Sequence, residues 1–253
     1  MESFVNKPLS HKIALITGAS RGIGAAIAHR LAADGAELVL HYGSGQAETE
    51  ALATSLRGDG CKVHLLQADL AAPDGGQQLV ARLAALELSH IDILVNNAGV
   101  APFAGLAETS AEQFEQIVNV NMRSLFFITQ GVVPRMPAGG RIVNLGSFVT
   151  RAALPGIPVY SASKGFVDVL TLHLAAELGP KGINVNAVAP GAIDTRMSAW
   201  MHGPGGQETL KQIQALEGIG KPEHVAGVVA FLVGPDAAWT TGQVVDASGG
   251  SKL

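Results

Sequence analysis

Cysteine is nearly absent from the sequence, since Cys61 is the only one among 253 residues. A single cysteine excludes an intrachain disulfide and fits a reducing compartment, so we expect the protein in the cytoplasm. The spacing of cysteines and histidines matches no metal site, and we expect no metal. A catalytic role for Cys61 is an alternative that we disfavour, because no histidine-rich motif accompanies it and it lies beside a predicted strand.

Charge of one sign and long hydrophobic runs are also scarce. With 17 Lys and Arg against 21 Asp and Glu, the net charge is −4 and no basic cluster occurs, so we expect no nucleic-acid partner. The apolar runs are short and interrupted, which predicts no membrane span, and residues 1–12 lack the apolar stretch of a secretory signal. The final Ser-Lys-Leu matches a peroxisomal address. We favour the alternative that a glycine-rich stretch merely ends there.

Apolar strand-like stretches alternate with helix-like stretches along the chain, in which 47% of residues are hydrophobic. The predicted strands cover residues 12–18, 36–42, 62–69, 91–99, 141–147, 183–191 and 242–249. The predicted helices cover residues 24–35, 46–60, 74–86, about 111–137, about 158–179 and about 222–233. The strands are continuous apolar runs, which is typical of parallel strands covered on both faces. The pattern predicts one α/β domain over residues 1–253, a doubly wound parallel sheet with helices on both faces.

The alternation breaks at residues 192–220. The stretch 201–207, MHGPGGQ, is rich in glycine and is not expected to form a long rigid element. An insertion after a strand of this fold lies at the carboxyl edge of the sheet, where ligands bind. We predict a mobile substrate lid at 192–220; the alternative is an ordinary surface excursion.

A glycine-rich turn, TGASRGIG at 17–24, joins the first predicted strand to the first predicted helix. Gly18, Gly22 and Gly24 remove Cβ atoms where the backbone turns sharply and approaches a ligand. The free N–H groups and the dipole at the start of the helix favour an anion there. Because the turn follows the first strand of a β-α-β series, it predicts a pyrophosphate site rather than a merely tight turn.

The end of the second strand indicates which dinucleotide binds. An acidic residue there would bind the adenosine ribose 2′-hydroxyl and repel a 2′-phosphate. The sequence instead has His-Tyr-Gly-Ser at 41–44, with no acid before Glu48. Arg21 can supply a positive charge on the same side, and Ser44 a hydrogen bond, so we expect NADP(H) rather than NAD(H). The alternative is that Arg21 faces solvent or a neighbouring carboxylate.

Polar residues end the third and fourth predicted strands. Asp69 can accept a hydrogen bond from the adenine amino group or cap the next turn, and both alternatives stay open. In NNAG at 96–99, Asn96 and Asn97 can line a cofactor or stabilise the sheet edge, and we expect both roles. Gly99 permits close approach of the backbone.

Tyr160 and Lys164 are one helical turn apart in YSASK and are predicted to share a helix face. A nearby ammonium favours the phenolate, so we expect Lys164 to lower the pKa of Tyr160. A tyrosine of this kind can give a proton to a carbonyl oxygen or take one back. Ser147, at the end of a strand, can steady the substrate oxygen, and Asn121 can hold a water near Lys164. Taken alone, the Tyr-x-x-x-Lys pattern is also compatible with a packed tyrosine and a solvated lysine.

The motifs together resemble those of the short-chain dehydrogenase/reductase family, in its compact single-domain branch that includes 3-oxoacyl carrier-protein reductases. The matching pieces, in the family's order, are TGASRGIG at 17–24, NNAG at 96–99, Asn121, Ser147, YSASK at 160–164 and PGAIDT at 190–195. The resemblance implies a catalytic set of Asn121, Ser147, Tyr160 and Lys164. The cofactor-binding residues that the motifs and the resemblance indicate are Gly18, Ser20, Arg21, Gly22, Ile23, Gly24, Tyr42, Ser44, Asp69, Leu70, Asn97, Ala98, Gly99, Tyr160, Lys164, Pro190, Gly191, Ile193 and Thr195.

The resemblance implies hydride transfer between NADP(H) and a carbonyl or secondary alcohol, most simply as a ketone reductase. In the family, Tyr160 matches the acid/base and Lys164 the ribose-binding residue that lowers its pKa, with an Asn121-bound water replacing the proton. The alternatives are an NAD-dependent alcohol dehydrogenase of the same family, an epimerase or dehydratase, or a non-catalytic nucleotide-binding protein. The family also implies a homotetramer, or a homodimer, packed through the helices at 111–137 and 158–179.

The substrate pocket is expected to be apolar and to take a hydrophobic carbonyl compound of middle size. Its walls are predicted at residues 100–106, 148–157 and 192–216, whose large apolar side chains are Phe103, Phe148, Leu154, Ile157, Met197, Trp200 and Met201.

Overall fold

The centre of the protein is a parallel sheet, and the computed structural model describes residues 7–251. The strands are β1 Ile13–Ile16, β2 Glu37–Tyr42, β3 Val63–Gln67, β4 Ile93–Asn96, β5 Arg141–Leu145, β6 Asn184–Pro190 and β7 Val244–Ala247. They pair in the order β3-β2-β1-β4-β5-β6-β7, every pair parallel. The predicted doubly wound α/β fold is confirmed, and Ser251 is the last described residue of the Ser-Lys-Leu end.

Helices cover both faces of the sheet. They are α1 Gly22–Ala33, α2 Gln46–Gly58, α3 Gly75–Ala84, α4 Ala111–Ile117, α5 Ser124–Val132, α6 Pro158–Leu178, α7 Gly206–Ile213 and α8 Pro222–Val233. The side chains of β1 alternate between two apolar clusters, because successive residues of a strand point to opposite faces. Ala14 and Ile16 lie in the cluster with α1, α2 and α8, and Ile13 and Leu15 lie in the cluster with α3, α5 and α6.

Burial on both faces explains why the central strands could be identified from the sequence. All four residues of β1 and of β4 are buried, so these strands are continuous apolar runs. The last strand differs because it is an edge strand: in β7 the residues alternate between exposed and partly buried. The predicted strand bounds were longer than the observed ones by up to three residues at an end.

The helix predicted at about 111–137 forms from Ala111 to Arg135, but it is not a regular α-helix throughout. The chain forms α4, then a π-helical segment Val118–Arg123, then α5 and a short 3-10 turn. Asn121 lies in the wide segment, and its side chain bonds the backbone of Val100, accepting from the N–H and donating to the carbonyl, both at 2.9 Å. Wide turns of this kind occur frequently at functional sites, and this one brings Asn121 against the end of β4.

The two ends of the segment predicted as a lid, residues 192–220, lie side by side and are bonded to each other. Its ends are joined by a bridge between Ile193 and Gly220 and by the Asp194 N–H bond to the Gly220 carbonyl at 2.7 Å. Between them lie a 3-10 stretch, Arg196–His202, and the short helix α7. Helix α7 was not predicted, but no long element forms there.

Two further findings concern the chain as a whole. Among residues 7–251, no helix combines the length and apolar character that crossing a bilayer requires. Over the same residues, no three His, Cys, Asp or Glu side chains come together in a way that could hold a metal ion.

Candidate active site

A cleft of about 1410 Å³ runs along the carboxyl edge of the sheet. Parallel strands end together at this edge, which is why motifs far apart in sequence meet there. Most of the predicted cofactor and catalytic residues line the cleft, namely Gly18, Ser20, Arg21, Gly22, Ile23, Gly24, Ser44, Asp69, Leu70, Asn97, Ala98, Gly99, Ser147, Tyr160, Lys164, Pro190, Gly191, Ile193 and Thr195. Tyr42 and Asn121 lie outside it.

Tyr42 is the predicted cofactor residue of β2 that does not line the cleft. Consecutive residues of β2 point to opposite faces, and the neighbours His41 and Gly43 line the cleft while Tyr42 does not. Tyr42 is itself buried. Contact between Tyr42 and the cofactor stays a prediction that this position does not support.

The glycine turn fits tightly against the end of β4. Gly18 has φ +65°, and a Cβ there would lie 2.9 Å from the Cα of Ala98. A Cβ on Gly24 would lie 2.3 Å from the Gly18 carbonyl and 2.6 Å from Nδ2 of Asn97. The side chain of Asn97 donates to the carbonyls of Thr17 and Gly18 at 2.9 Å. Only glycine allows this turn to fold onto NNAG and keep the start of α1 open to the cleft.

His41 holds the turn from the opposite side, and the sequence analysis did not assign it a role. Its Nδ1 accepts the Gly18 N–H at 3.1 Å, and its Nε2 lies 3.1 Å from the carbonyl oxygen of Ala68. These contacts require the neutral ring with its proton on Nε2. Burial lowers the pKa of His41 to about 4, although its hydrogen bond to the Ala68 backbone acts in the opposite direction. The sequence feature that could have indicated this role is a histidine within an otherwise apolar predicted strand.

Arg21 faces a carboxylate across the adenosine end of the cleft. Its Nη1 lies 3.8 Å from Oε1 of Glu48, and both side chains are about half exposed. Such an exposed pair contributes little to stability, so the guanidinium remains available to an anion. Ser44 is exposed beside it. The arrangement corresponds to the alternative in which Arg21 faces a neighbouring carboxylate, and it leaves phosphate binding open.

Of the two roles considered for Asp69, the structure contains the turn-capping one. Its Oδ1 accepts the Ala71 N–H at 2.9 Å. The side chain also lines the cleft, and its contact with an adenine base stays a prediction. Asn96 is buried between the sheet and α5, where its Nδ2 donates to Thr129 of α5 and Asn144 of β5.

Ser147, Tyr160 and Lys164 meet at the catalytic end of the cleft. Ser147 follows β5 and is 6% exposed, and Lys164 is 5% exposed. Lys164 Nζ lies 5.7 Å from the centre of the Tyr160 ring and donates to the Leu145 carbonyl at 2.7 Å. The predicted sharing of one face of α6 is confirmed, because α6 runs without a break through both residues.

The predicted direction of the Tyr160 pKa is wrong. Burial raises the pKa of Tyr160 above its usual range, and the Ser147 hydroxyl offsets part of that rise. The ammonium of Lys164 bonds the Leu145 carbonyl rather than the phenol, so it does not overcome the burial. A raised pKa keeps the phenol in its protonated form, from which a proton can be donated, but makes it a weaker acid than an exposed tyrosine.

Lys164 is the more easily titrated member of the pair. Burial lowers its pKa to about 8, and the negative charge of Asp168 acts in the opposite direction. Asn121, which was expected to hold a water near Lys164, bonds Val100 and also donates to Ser163 Oγ at 3.0 Å. Ser163 donates in turn to the Tyr160 carbonyl at 2.7 Å. Asn121 is thereby connected to the backbone of the catalytic helix through Ser163.

The substrate side is apolar but differs in detail from the prediction. Phe148, Ile157 and Met201 are buried in an apolar cluster that Leu154 and Tyr160 adjoin, so they support the walls. The large apolar side chains left exposed near the cleft are Phe103, Met197 and Trp200, of which Met197 lines it.

Comparison with known proteins agrees with this site. A family model described as "Enoyl-(Acyl carrier protein) reductase" matches residues 18–252. Dehydrogenase/reductase SDR family member 4 of Bos taurus is 38% identical, with 96% of this chain and 88% of that protein covered. Hydroxynaphthalene reductase arp2 of Aspergillus fumigatus is 34% identical, covering 93% and 90%. The solved angucycline C-6 ketoreductase LanV with bound NADP is 40% identical with a TM-score of 0.90, covering 96% of each chain.

The chain belongs to the short-chain dehydrogenase/reductase family. Within that family, its site has the side chains of an oxidoreductase acting on carbonyl groups: the partly buried Tyr160, the buried Lys164 and the Ser147 hydroxyl lie around one end of the cleft. The glycine turn, whose Cβ positions are filled by the neighbouring backbone, fits a pyrophosphate.

Proposed function

We propose that the protein reduces an apolar ketone with NADPH. The observation that carries the proposal is the placement of the Tyr160 phenol beside Ser147 and Lys164, in the same cleft as the glycine turn and Arg21. A bound NADPH supplies a hydride from its nicotinamide ring. In its protonated form the phenol can donate a proton to the ketone oxygen, and as the phenolate it can take a proton from the alcohol in the reverse reaction.

The proposed mechanism gives separate roles to the side chains around the ketone oxygen. Ser147 donates a hydrogen bond to the ketone oxygen, and Tyr160 donates the proton that the oxygen needs as negative charge develops on it. Lys164 keeps positive charge close to that oxygen and, together with Asn121, belongs to the proposed catalytic set. No metal is required by this scheme, because the two hydroxyls provide the electrophilic pull.

Arg21 is proposed to select NADPH over NADH. A guanidinium binds a phosphate through paired, charge-assisted hydrogen bonds, and no acidic residue occurs between Tyr42 and Glu48. The bound NADP of the solved ketoreductase relative supports this choice. An NAD-dependent alcohol dehydrogenase would instead bind NADH as tightly as NADPH.

The proposed substrate class is a ketone with a fused aromatic or similarly flat apolar body. Met197 in the cleft and exposed Phe103 and Trp200 near it offer apolar surface, and flat rings bury much of their area against aromatic side chains. The name hydroxynaphthalene reductase, borne by one relative, supports this class. Residues 192–220 are proposed to act as the lid that closes on the substrate.

The protein is also proposed to act in the cytoplasm as a homotetramer. Exposed Phe126 on α5 and exposed Val169 and Leu172 on α6 are apolar side chains that association through these helices would cover.

The proposal is tested by the loss of NADPH absorbance with a panel of ketones: aliphatic, monocyclic aryl and fused-ring aryl. We expect kcat/KM to be highest for the fused-ring ketones and NADPH to be preferred over NADH. A protein that binds NADPH but turns over none of the ketones would contradict the enzymatic proposal and favour a nucleotide-binding role.

A further inference from the structure

We propose that Asp168 is a positioning residue for Lys164, whose carboxylate keeps the ammonium charged and in place behind the catalytic tyrosine. The proposal extends the reductase function proposed above and rests on it. Asp168 belongs to none of the motifs that indicated the site, and it does not line the cleft.

The helix places Asp168 where this role requires. Tyr160, Lys164 and Asp168 follow one another at four-residue intervals in α6, so they lie along one face. Lys164 Nζ donates to the Leu145 carbonyl at 2.7 Å. The Oδ1 atom of Asp168 lies 3.0 Å from the position that a Cβ on Gly146 would occupy. The peptide between Leu145 and Gly146 therefore lies next to both side chains, bonded to the lysine and adjacent to the aspartate.

This peptide leads directly into Ser147. The Gly146 N–H bonds the Val188 carbonyl at 2.8 Å, so its position is fixed from β6 as well. Any side chain at 146 would press on the Asp168 carboxylate or on the Val188 carbonyl. Glycine at position 146 therefore lets the Asp168 carboxylate lie close to the backbone that precedes Ser147.

One oxygen of the Asp168 carboxylate is shielded from solvent although the residue as a whole is only partly buried. This atom, Oδ1, has no hydrogen-bond partner among residues 7–251, and a shielded carboxylate oxygen without a partner is stabilised by a nearby positive charge. Burial raises the pKa of Asp168, while a Thr150 hydrogen bond and the charges of Lys164 and Arg151 act in the opposite direction. Lys164 and Asp168 thus each oppose the effect of burial on the other.

The remaining titratable groups around Lys164 come from few elements. Tyr160 is on α6 itself, and Arg151 follows the short 3-10 turn Phe148–Thr150. Asp246 of β7 contacts the Arg151 guanidinium, and neither residue lines the cleft. The end of β4 and the π-helical segment contribute the uncharged Gly99 and Asn121 near Lys164. Asp168 is accordingly the negative group that acts on the ammonium.

The test is the pH profile of ketone reduction in Asp168→Asn, which removes the charge and keeps the shape. Lys164 loses its proton at a lower pH than Tyr160, so the alkaline limb of kcat/KM reports the lysine. We expect that limb to move about one pH unit lower in the variant. A merely structural role would lower the melting temperature without moving the limb.

The matched control is Asp246→Asn, which removes the carboxylate that pairs with Arg151. We expect the alkaline limb of kcat/KM in this variant to stay at its wild-type pH. If Asp168→Asn does not fold, Asp168→Ser removes the same charge with less volume against Gly146. An unmoved limb in a folded, active Asp168 variant, or an equal movement in Asp246→Asn, overturns the inference. If the wild type reduces no ketone at any pH, it is the proposed function that fails.

Discussion

Lys164 Nζ lies 5.7 Å from the centre of the Tyr160 ring, one helical turn further along α6. At this position the ammonium faces the ring, while its hydrogen bond goes to the Leu145 carbonyl. The protonation of the phenol is consequently governed by burial more than by the lysine. The first prediction concerns the proposed role of this phenol as the proton donor.

Replacing Tyr160 by Phe should reduce kcat for ketone reduction by about 10²- to 10⁴-fold, because the proton donor is lost. The Kd for NADPH, measured by fluorescence titration, should change little. Tyr42→Phe is the matched control, since it makes the same change at the second tyrosine of the chain, which lies outside the cleft, and full activity is expected. Undiminished turnover in Tyr160→Phe would falsify the acid assignment.

Replacing Arg21 by Ala should raise KM for NADPH by about tenfold or more, the effect of losing a charge-assisted bond to phosphate. KM for NADH should change little, because NADH has no 2′-phosphate. The measurement is initial-rate kinetics with each cofactor at a saturating ketone concentration. Arg30→Ala is the control, since Arg30 pairs with Asp34 on the exposed side of α1. Equal increases in KM for NADPH and for NADH would show that Arg21 does not bind the 2′-phosphate.

Stability should fall between pH 6.5 and pH 4 because of His41. Its pKa is lowered in the folded protein from 6.5 to about 4. Over that interval the unfolded chain binds a proton that the folded protein does not, so acidification favours unfolding. The contribution is about 3 kcal/mol, since one pKa unit corresponds to about 1.4 kcal/mol. It is complete at about pH 4, below which both states are protonated.

Urea denaturation at several pH values measures this contribution. His41→Gln retains a donor and an acceptor without the titration, and its stability should fall less over the same interval. His173→Gln, at an exposed position of α6, should keep the wild-type dependence. The His41 assignment is untenable if the two variants lose stability in parallel.

Gly24→Ala should destabilise the protein and weaken NADPH binding, because its Cβ would lie 2.3 Å from the Gly18 carbonyl. Gly227→Ala is the contrast: a Cβ there meets nothing within 4 Å, and alanine favours the interior of α8 by about 1 kcal/mol. We expect the melting temperature to fall in the first variant and to rise in the second. A rise in both would mean that the glycine turn has room for a side chain.

The sequence by itself determined the order of strands and helices and the position of the glycine turn. It also determined that Tyr160 and Lys164 share a helix face. These features depend on local patterns: buried parallel strands are continuous apolar runs, and residues four apart in a helix are neighbours. The same locality explains why the π-helical segment within 111–137 was not predicted, since such a turn has no distinctive period and is accompanied here by the contact of Asn121 with Val100, 21 residues away.

Only the tertiary structure decided which side chains meet and how they are charged. His41 reaches Gly18 because β1 and β2 are paired, and Asp168 reaches Gly146 because α6 packs beside the end of β5. The raised pKa of Tyr160 and the lowered pKa of Lys164 follow from burial. The burial of a residue depends on which distant segments pack against it. It therefore cannot be predicted from the local sequence and is decided only when the helices pack on the sheet.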